Sequence, residues 1–327
     1  MTQKNIAVGI DIGGTNTTWG FVDEGGGILV GGSFPTFADE PPEKLAARIA
    51  AAVKADWLSI EQDDMALLGI GMGAPNANYH RGTIEYPPNF DWEVVEFVKL
   101  IRQHIDLPVV MTNDANAAAI GEMTFGDAVG VDDFIVITLG TGLGSGIVSG
   151  GRLVLGHDGF AGEMGHITAQ RDSDRLCGCG RTGCLETFAS ATGIVTTARE
   201  LLSLRSDDST LRLAAGDGLT AADVGKAAAR GDALALEAFE ITGRMLGRSL
   251  ADAVAILSPQ VVFLFGGLAN AGELITAPVK RHMEDNLLPI FRNKVDVRIS
   301  GLQQKNAAIL GAAALITRER IRNPADV

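Results

Sequence analysis

The three cysteines of this chain lie in one short stretch, CGCGRTGCLE, at Cys177, Cys179 and Cys184. A clustered, odd number of cysteines favours metal binding over a disulfide framework. Structural zinc takes four Cys or His ligands in a tetrahedral arrangement, so these thiols leave one position to fill. His166 lies upstream and is the expected fourth ligand, with His157 as the alternative. The pattern predicts a structural zinc site, and buried free thiols are the competing interpretation.

Two glycine-rich stretches could bind an anion. DIGGTN occupies 11–16 and LGTGLGSG occupies 139–146, each at the end of an apolar run. Glycine allows close backbone approach, and successive free N–H groups then form a concave anion site. Neither stretch is a Walker A loop, and neither is a GxGxxG that opens a helix. Each alone is compatible with a hairpin turn, but their matching positions predict two domains that bind one polyphosphate.

Several carboxylates and amides could act in catalysis or binding. Asn113 and Asp114 stand between an expected strand and an expected helix, where a helix N-cap and a general base are both open interpretations. Glu163 and His166 are three positions apart, so one helical turn would put both on the same face, although His166 alone could be a core histidine. Glu186 follows the last cysteine by two positions, and a solvated glutamate at a helix start is the alternative there.

A layered α/β scaffold has to position these residues. An apolar strand is expected over 5–12, and two further strands are expected around a Gly-rich turn at 25–27. Helices and strands then alternate, which is typical of an α/β domain. The helices are expected over 41–59, over 92–105 and from 115, and the strands over 66–75 and 107–114.

The same layout begins again at 132–156, with a strand, a Gly-rich turn and two more strands. Two copies of one βββαβα unit are therefore predicted. An irregular segment with all the cysteines is expected over 157–190. The remaining expected elements are a long helix at 232–257, a buried strand that ends in a Gly-Gly loop at 266–267, a strand at 295–300 and a closing helix at 306–320.

The composition narrows the class of protein. The chain has 327 residues, 46% hydrophobic and 20% charged, which indicates a globular protein with a large core. Its net charge of −13 argues against nucleic acid and anionic membranes as partners. No apolar run reaches the roughly 18 residues that a membrane helix needs. The N-terminus shows no signal peptide, so a cytoplasmic protein is expected.

Taken together and in order, the motifs DIGGTN, GIGMGAPN, NDANAAAIGE, LGTGLGSGIV, AGEMGH and CGCGRTGCLE resemble those of the ROK family (repressor, ORF, kinase). The resemblance covers essentially the whole chain. It implies a two-domain actin-like ATPase (sugar kinase) fold, with repeated βββαβα units flanking a central cleft. The implied domains are a small one at 1–116 plus 305–327 and a larger one at 117–304 that contains the zinc segment. The implied activity is ATP-dependent phosphorylation of the 6-hydroxyl of a hexose, with glucose as the expected substrate.

The resemblance also implies roles for individual residues. Asp114 matches the general base that takes the proton of the sugar hydroxyl, and Asp11 is placed to organise Mg²⁺ through water. The sugar contacts that it implies are Gly73, Asn89, Asn113, Asp114, Glu163, His166 and Glu186. The ATP contacts that it implies are Asp11, Gly13, Gly14, Thr15, Asn16, Thr141, Gly142, Gly266 and Gly267. The implied zinc ligands are His166, Cys177, Cys179 and Cys184.

Other members of the same family act on other sugars or on DNA. An N-acetylhexosamine, mannose or allose kinase is one alternative, since these sugars differ from glucose by one substituent or epimer. A sugar-sensing regulator is another, but DIGGTN begins at residue 11, so a DNA-binding domain before it is not expected. The sequence GAPN at 73–76 departs from the GPG of many relatives, and a small effect on loop shape is expected. A homodimer or homotetramer is expected.

Overall fold

The computed structural model describes residues 3–62, 64–214, 218–303 and 306–322. Within these residues the chain forms two compact units. Unit 1 comprises 3–130, 153–161 and 306–322, and unit 2 comprises 131–152 and 162–303. The domain boundaries expected from the resemblance, 1–116 plus 305–327 and 117–304, stay a prediction, and residues 305 and 323–327 lie outside the described residues.

Unit 1 is built on a five-stranded sheet in the order β3-β2-β1-β4-β8. Strand β1 lies at its centre, pairs antiparallel with β2 and parallel with β4, and is buried along most of its length. A small three-stranded sheet, β5-β6-β7, follows β4. The elements are β1 (Lys4–Ile12), β2 (Asn16–Val22), β3 (Ile28–Pro35), α1 (Pro42–Ile60), β4 (Met65–Ala74), β5 (Ala77–Asn78), β6 (Thr83–Glu85), β7 (Val94–Val95), α2 (Phe97–Arg102), β8 (Val109–Asn113) and α3 (Asp114–Phe125).

Unit 2 repeats the same strand order, β11-β10-β9-β12-β13. The elements continue as β9 (Phe134–Leu139), β10 (Leu143–Ser149), β11 (Arg152–Leu153), α4 (Ala191–Leu204), α5 (Ala221–Ala229), α6 (Ala233–Leu257), β12 (Val261–Phe265), α7 (Glu273–Asn286) and β13 (Asp296–Ile299). The last helix, α8 (Ala307–Arg322), belongs to unit 1. The predicted α/β class and the repeated supersecondary unit are both confirmed by these two sheets.

The predicted helix over 92–105 is wrong in its first part. Val94 and Val95 form β7, where Val95 pairs with Ile84 of β6, and the helix begins only at Phe97. A short apolar run is compatible with a strand and with a helix, and the long-range partner in β6 decides between them. No helix within the described residues combines the length and the apolar character needed to cross a membrane.

Helix α8 packs directly on the backbone of the central strands of unit 1. A Cβ atom at Gly9 of β1 would overlap the carbonyl oxygen of Ile309, and one at Gly71 of β4 would overlap that of Ala312. Interiors are close-packed, so a strand can approach a helix this closely only where the strand has no side chain. The two glycines therefore set the distance between α8 and the sheet.

This packing predicts a loss of stability on adding one methyl group. Gly71→Ala should lower the free energy of unfolding by about 3 kcal/mol, because backbone atoms of α8 have to move. Gly225 of α5 is the matched control, since a Cβ atom there meets no atom within 4 Å. Gly225→Ala should raise stability by about 0.5–1 kcal/mol through helix propensity. Urea unfolding of both variants measures this, and equal effects would contradict the packing argument.

Candidate functional site

Three parallel strands of unit 1 end at the same edge of the sheet and bring two carboxylates together. Asp11 of β1 pairs with Gly73 of β4, Gly73 pairs with Thr112 of β8, and Asp114 follows β8 directly. A Cβ atom at Gly73 would lie 3.8 Å from Asp11 Oδ1 and 3.6 Å from Asp114 Cα. In open α/β sheets, ligands bind at the carboxyl ends of the strands. The predicted residues Asp11, Gly73 and Asp114 therefore share one location.

Asn113 and Asp114 both contact the first turn of α3. The Ala115 amide donates to Asn113 Oδ1 at 2.8 Å and to Asp114 Oδ1 at 2.8 Å. The N-cap interpretation thus holds for Asn113, whose side-chain oxygen satisfies an amide that the helix leaves unpaired. Asp114 is exposed to solvent and stands at the positive end of the helix dipole. Its carboxylate is therefore accessible to a substrate, and the role of general base stays a prediction.

The pKa values of both carboxylates are raised above their ordinary value. Burial raises the pKa of Asp11 to about 7, and the negative charge of Asp114 adds to this shift. Desolvation also raises the pKa of Asp114, while the hydrogen bond from the Ala115 amide lowers it. A carboxylate with a raised pKa is a stronger base, which suits general base catalysis.

The first glycine-rich stretch forms the tight turn between β1 and β2. The Gly13 amide donates to the Asn16 carbonyl at 3.0 Å, and Thr36 contacts the turn with its hydroxyl group and its amide. A Cβ atom at Gly14 would lie 3.2 Å from the Cβ of Asn89, so Asn89 packs against this turn. Sequence reasoning found no signal for Thr36, which follows an exposed and unremarkable stretch. The hairpin interpretation is therefore correct, and it leaves anion binding open.

The second glycine-rich stretch forms the matching turn in unit 2, between β9 and β10. Glu186 Oε2 accepts from the Leu143 amide at 2.9 Å, and a Cβ atom at Gly142 would overlap that oxygen. The Thr192 hydroxyl donates to the Thr141 carbonyl at 2.8 Å. Glu186 is thus a structural partner of the turn, and the interpretation as a freely solvated glutamate is wrong.

The Gly-Gly loop after β12 is fixed by a side chain that the sequence did not single out. The Gly266 amide donates to Gln303 Oε1 at 2.9 Å, and Gln303 Nε2 donates to the Gly266 carbonyl at 2.6 Å. Gly266 has a φ of 103°, which glycine adopts readily. A Cβ atom at this position would lie 2.8 Å from the Leu139 carbonyl oxygen, so the loop lies against the end of β9. The expected contact of Gly266 and Gly267 with adenosine stays a prediction.

Glu163 and His166 lie at the two ends of a single short turn. A 3₁₀ helix spans Met164–His166, and the His166 amide donates to the Glu163 carbonyl at 3.1 Å. The Met164 amide donates to Ser145 Oγ at 3.3 Å, and this bond ties the turn to β10. The predicted helical turn is present, although it is shorter and tighter than an α-helical one. The predicted sugar contacts of Glu163 and His166 stay a prediction.

The cysteine-rich segment brings the four predicted zinc ligands together. The ligand atoms of His166, Cys177, Cys179 and Cys184 all lie within 4.8 Å of one another. Cys179 Sγ and Cys184 Sγ are 3.6 Å apart, and Cys177 Sγ is 3.5 Å from His166 Nδ1. Tetrahedral zinc with bonds of about 2.3 Å to sulfur and 2.0 Å to nitrogen needs ligand separations of about 3.5–3.8 Å. The donor set and its spacing therefore fit a structural zinc ion.

Neighbouring residues complete the zinc site. His166 presents Nδ1 to the thiols, so Nε2 lies on the other side of the ring. Arg181 donates to the His166 carbonyl at 2.7 Å, and its hydrogen bonds to Cys179 lower the pKa of that thiol. Cys177 Sγ lies 3.6 Å from Glu186 Oε1, which connects the metal site to the second glycine turn. His157, the alternative ligand, is exposed and lies outside the cluster.

The cluster predicts metal content that depends on single ligands. The purified chain should contain one equivalent of zinc, and Cys184→Ala should abolish it, because three remaining ligands hold structural zinc far less tightly. Glucose binding should be lost with the metal. His157→Ala is the matched control and should keep its zinc. Elemental analysis after dialysis measures this, and a metal-free wild-type chain that still binds glucose would contradict the prediction.

The raised pKa of Asp11 predicts a pH-dependent stability. The folded value of about 7 exceeds the ordinary 3.8, so the folded chain binds more protons than the unfolded chain between these values. The free energy of unfolding should therefore fall as pH rises through this window. Asp11→Asn should be more stable than wild type at pH 8 by about 1–3 kcal/mol, and the difference should vanish near pH 4.

Urea unfolding at several pH values, without Mg²⁺ and nucleotide, tests the Asp11 prediction. Asp106→Asn is the control, since Asp106 is exposed and precedes the amino end of β8, whereas Asp114 follows its carboxyl end. A stability difference that does not change with pH would show that Asp11 titrates normally.

Comparison with known proteins identifies the family. The model of the ROK family matches residues 7–319. The chain is 37% identical over 316 residues to the glucokinase of Streptomyces coelicolor (95% of this chain, 97% of that protein), and 35% identical over 314 residues to the glucokinase of Halalkalibacterium halodurans (95% of each). A solved structure of a ROK family glucokinase from Streptomyces griseus, in complex with glucose and AMPPNP, has a TM-score of 0.81 and 35% identity, with 96% of this chain and 99% of that one covered. These similarities confirm the expected actin-like sugar kinase fold, and the chain belongs to the ROK family.

Proposed function

We propose that this chain is an ATP-dependent glucokinase, which transfers the γ-phosphoryl group of ATP to the 6-hydroxyl of glucose. The observation that carries the proposal is the 35–37% identity to glucokinases over 95% of the chain. The carboxylate pair at the strand ends of unit 1 and the zinc cluster of unit 2 are consistent with it. A sugar kinase needs a base for the acceptor hydroxyl and hydrogen-bond donors that bind the phosphates. The predicted residues supply both kinds of group.

In the proposed reaction Asp114 takes the proton from the 6-hydroxyl as that oxygen attacks the γ-phosphorus. A primary alcohol is a weak nucleophile, and a carboxylate within hydrogen-bond distance removes the proton as the new P–O bond forms. The hydrogen bond from the Ala115 amide orients the carboxylate and leaves its other oxygen for the substrate. Desolvation raises the pKa of Asp114, which makes its carboxylate a stronger base.

The phosphates of ATP would be bound by the turns at 13–16 and 141–142. Backbone N–H groups of such turns neutralise phosphate charge without adding a side chain. Mg²⁺ supplies further neutralisation when bound, and Asp11 would hold it through water. Asp11 suits this role because it lies at the same edge of the sheet as Asp114. It pairs there with Gly73 of the neighbouring strand β4. Gly266 and Gly267 would lie near the adenosine.

The sugar would be held by hydrogen bonds to its hydroxyl groups. The Asn113 oxygen is used by the α3 cap, so its amide group is the part that can donate to a sugar oxygen. The carboxylates of Glu163 and Glu186 can accept from sugar hydroxyls, and His166 can use Nε2 for the sugar while Nδ1 binds zinc. Asn89 and the backbone near Gly73 would make weaker contacts. Zinc shapes this group of residues and has no open position for substrate, because four protein ligands complete it.

The proposal includes the setting in which the enzyme works. We expect a homodimer or homotetramer in the cytoplasm. The net charge of −13 supports a protein without nucleic acid or membrane partners. N-acetylmannosamine, mannose and allose kinases use the same chemistry, so the choice of hexose rests on a few contacts.

Steady-state ADP release tests the reaction and the base together. Wild type should turn over with glucose and far more slowly with N-acetylmannosamine, mannose and allose. Asp114→Asn should lower kcat by about 10²–10⁴-fold with little change in the KM for glucose, because the amide cannot take a proton. Asp106→Asn is the control and should behave as wild type. Absence of hexose-dependent ADP release would refute the kinase, and an active Asp114→Asn variant would refute the base.

A further inference from the structure

The hydroxyl group and the amide of Thr36 both form hydrogen bonds with the turn at 13–16. It is completely buried just after β3. Its hydroxyl donates to the Gly13 carbonyl at 2.7 Å, and its amide donates to the Thr15 carbonyl at 2.9 Å. A hydroxyl has one proton, so in the 2.9 Å contact between the Thr36 and Thr17 hydroxyls, Thr17 is the donor. Thr36 therefore binds two carbonyls of the turn, those of Gly13 and Thr15, with separate groups.

The carbonyl of Thr36 is itself fixed by helix α1. Arg48 donates to it through a guanidinium nitrogen at 2.7 Å and also forms an ion pair with Glu40. The guanidinium lies over the rings of Phe34 and Phe37, at 5.7 and 5.0 Å from their centroids. These contacts hold the Arg48 guanidinium from several sides, and its planar group is suited to several directed hydrogen bonds at once. A continuous set of contacts thus runs from α1 through Thr36 to the turn.

Fixing the Gly13 carbonyl also fixes the direction of the next amide. The peptide group is planar and trans, so the C=O of Gly13 and the N–H of Gly14 point in opposite directions. Because Thr36 holds the Gly13 oxygen, the Gly14 N–H points away from Thr36. A general role in stability would require only that the Thr36 hydroxyl finds one partner. Two hydrogen bonds from Thr36 to this four-residue turn indicate a role in orienting the turn.

We infer that Thr36 is a positioning residue for ATP: it orients the Gly13–Gly14 peptide so that the Gly14 N–H donates to a phosphate oxygen. This inference rests on the proposed function, in which the turn at 13–16 binds ATP phosphates. Thr36 makes no contact with substrate and acts through the turn alone. Its loss should therefore weaken ATP binding without affecting the sugar.

The test compares three variants. Thr36→Val keeps the shape and removes the hydroxyl, and should raise the KM for ATP about tenfold while the KM for glucose stays within about twofold. Thr36→Ser restores the hydroxyl and should return the KM for ATP close to that of wild type. Thr124→Val is the control in the same unit, since the Thr124 hydroxyl donates to the Ile120 carbonyl of α3 at 2.8 Å and has no part in the turn.

A direct binding measurement separates this inference from the proposed function. The Kd of a non-hydrolysable ATP analogue with Mg²⁺, measured calorimetrically, should rise about tenfold in Thr36→Val and stay unchanged in Thr124→Val. This arm decides on Thr36 even if wild type turns over no hexose. If Thr36→Val does not fold, Thr17→Val removes only the donor to Thr36, and should raise the Kd about threefold.

Three results would overturn the role of Thr36. The first is a Kd for the ATP analogue within about twofold of wild type in folded Thr36→Val. The second is an equal rise in the KM values for ATP and glucose, which would indicate a general structural defect. The third is a Thr36→Ser variant that behaves like Thr36→Val, because it would show that the methyl group and not the hydroxyl matters.

Discussion

The contact between α8 and the middle of the unit 1 sheet is the constraint on which the other features of that unit depend. Gly9 and Gly71 let the helix rest on the strand backbones, where a Cβ atom would overlap helix carbonyls. The same two strands, β1 and β4, end at Asp11 and Gly73. Their register against each other therefore determines both the packing of α8 and the position of the carboxylate edge. A rigid strand pair is what a phosphoryl transfer site requires, since its catalysis depends on positioning.

The two sheets show how one topology can be supported in different ways. Both have the same strand order, and both place a glycine turn between their first two strands. In unit 1 the turn is held by Thr36, a residue from the next strand end. In unit 2 the corresponding turn is held by Glu186 and Thr192, which follow the zinc ligands in sequence. The metal site thus serves the second turn as well as the residues around His166.

Local sequence patterns predicted most of the strands, the long helices and the zinc ligands. These features depend on hydrophobic period, on glycine and on the chemistry of cysteine, all of which are visible within a short window. The predicted helix at 92–105 was wrong in its first turn because β6 supplies a partner for Val95. Thr36 and Gln303 were missed because each binds two backbone groups that are distant in sequence, in the turn at 13–16 and at Gly266. The sequence left two interpretations open for Asn113, a helix cap and a role in the site. The cap uses only its side-chain oxygen, so its NH₂ group is left for a second role.

The assignment of α8 to unit 1 also determines the order in which the chain can fold during synthesis. Roughly 230 residues separate the end of β4 from the start of α8. At ribosomal rates of about 5–20 residues per second, β4 waits about 10–50 s, and β1 longer, for the helix that covers them. All residues of unit 2 are synthesised before α8, and residues 153–161, which interrupt unit 2 in the sequence, belong to unit 1. The nascent chain therefore leaves the sheet face at Gly9 and Gly71, on which α8 packs, uncovered longest, and this face of unit 1 is the part that needs protection from aggregation.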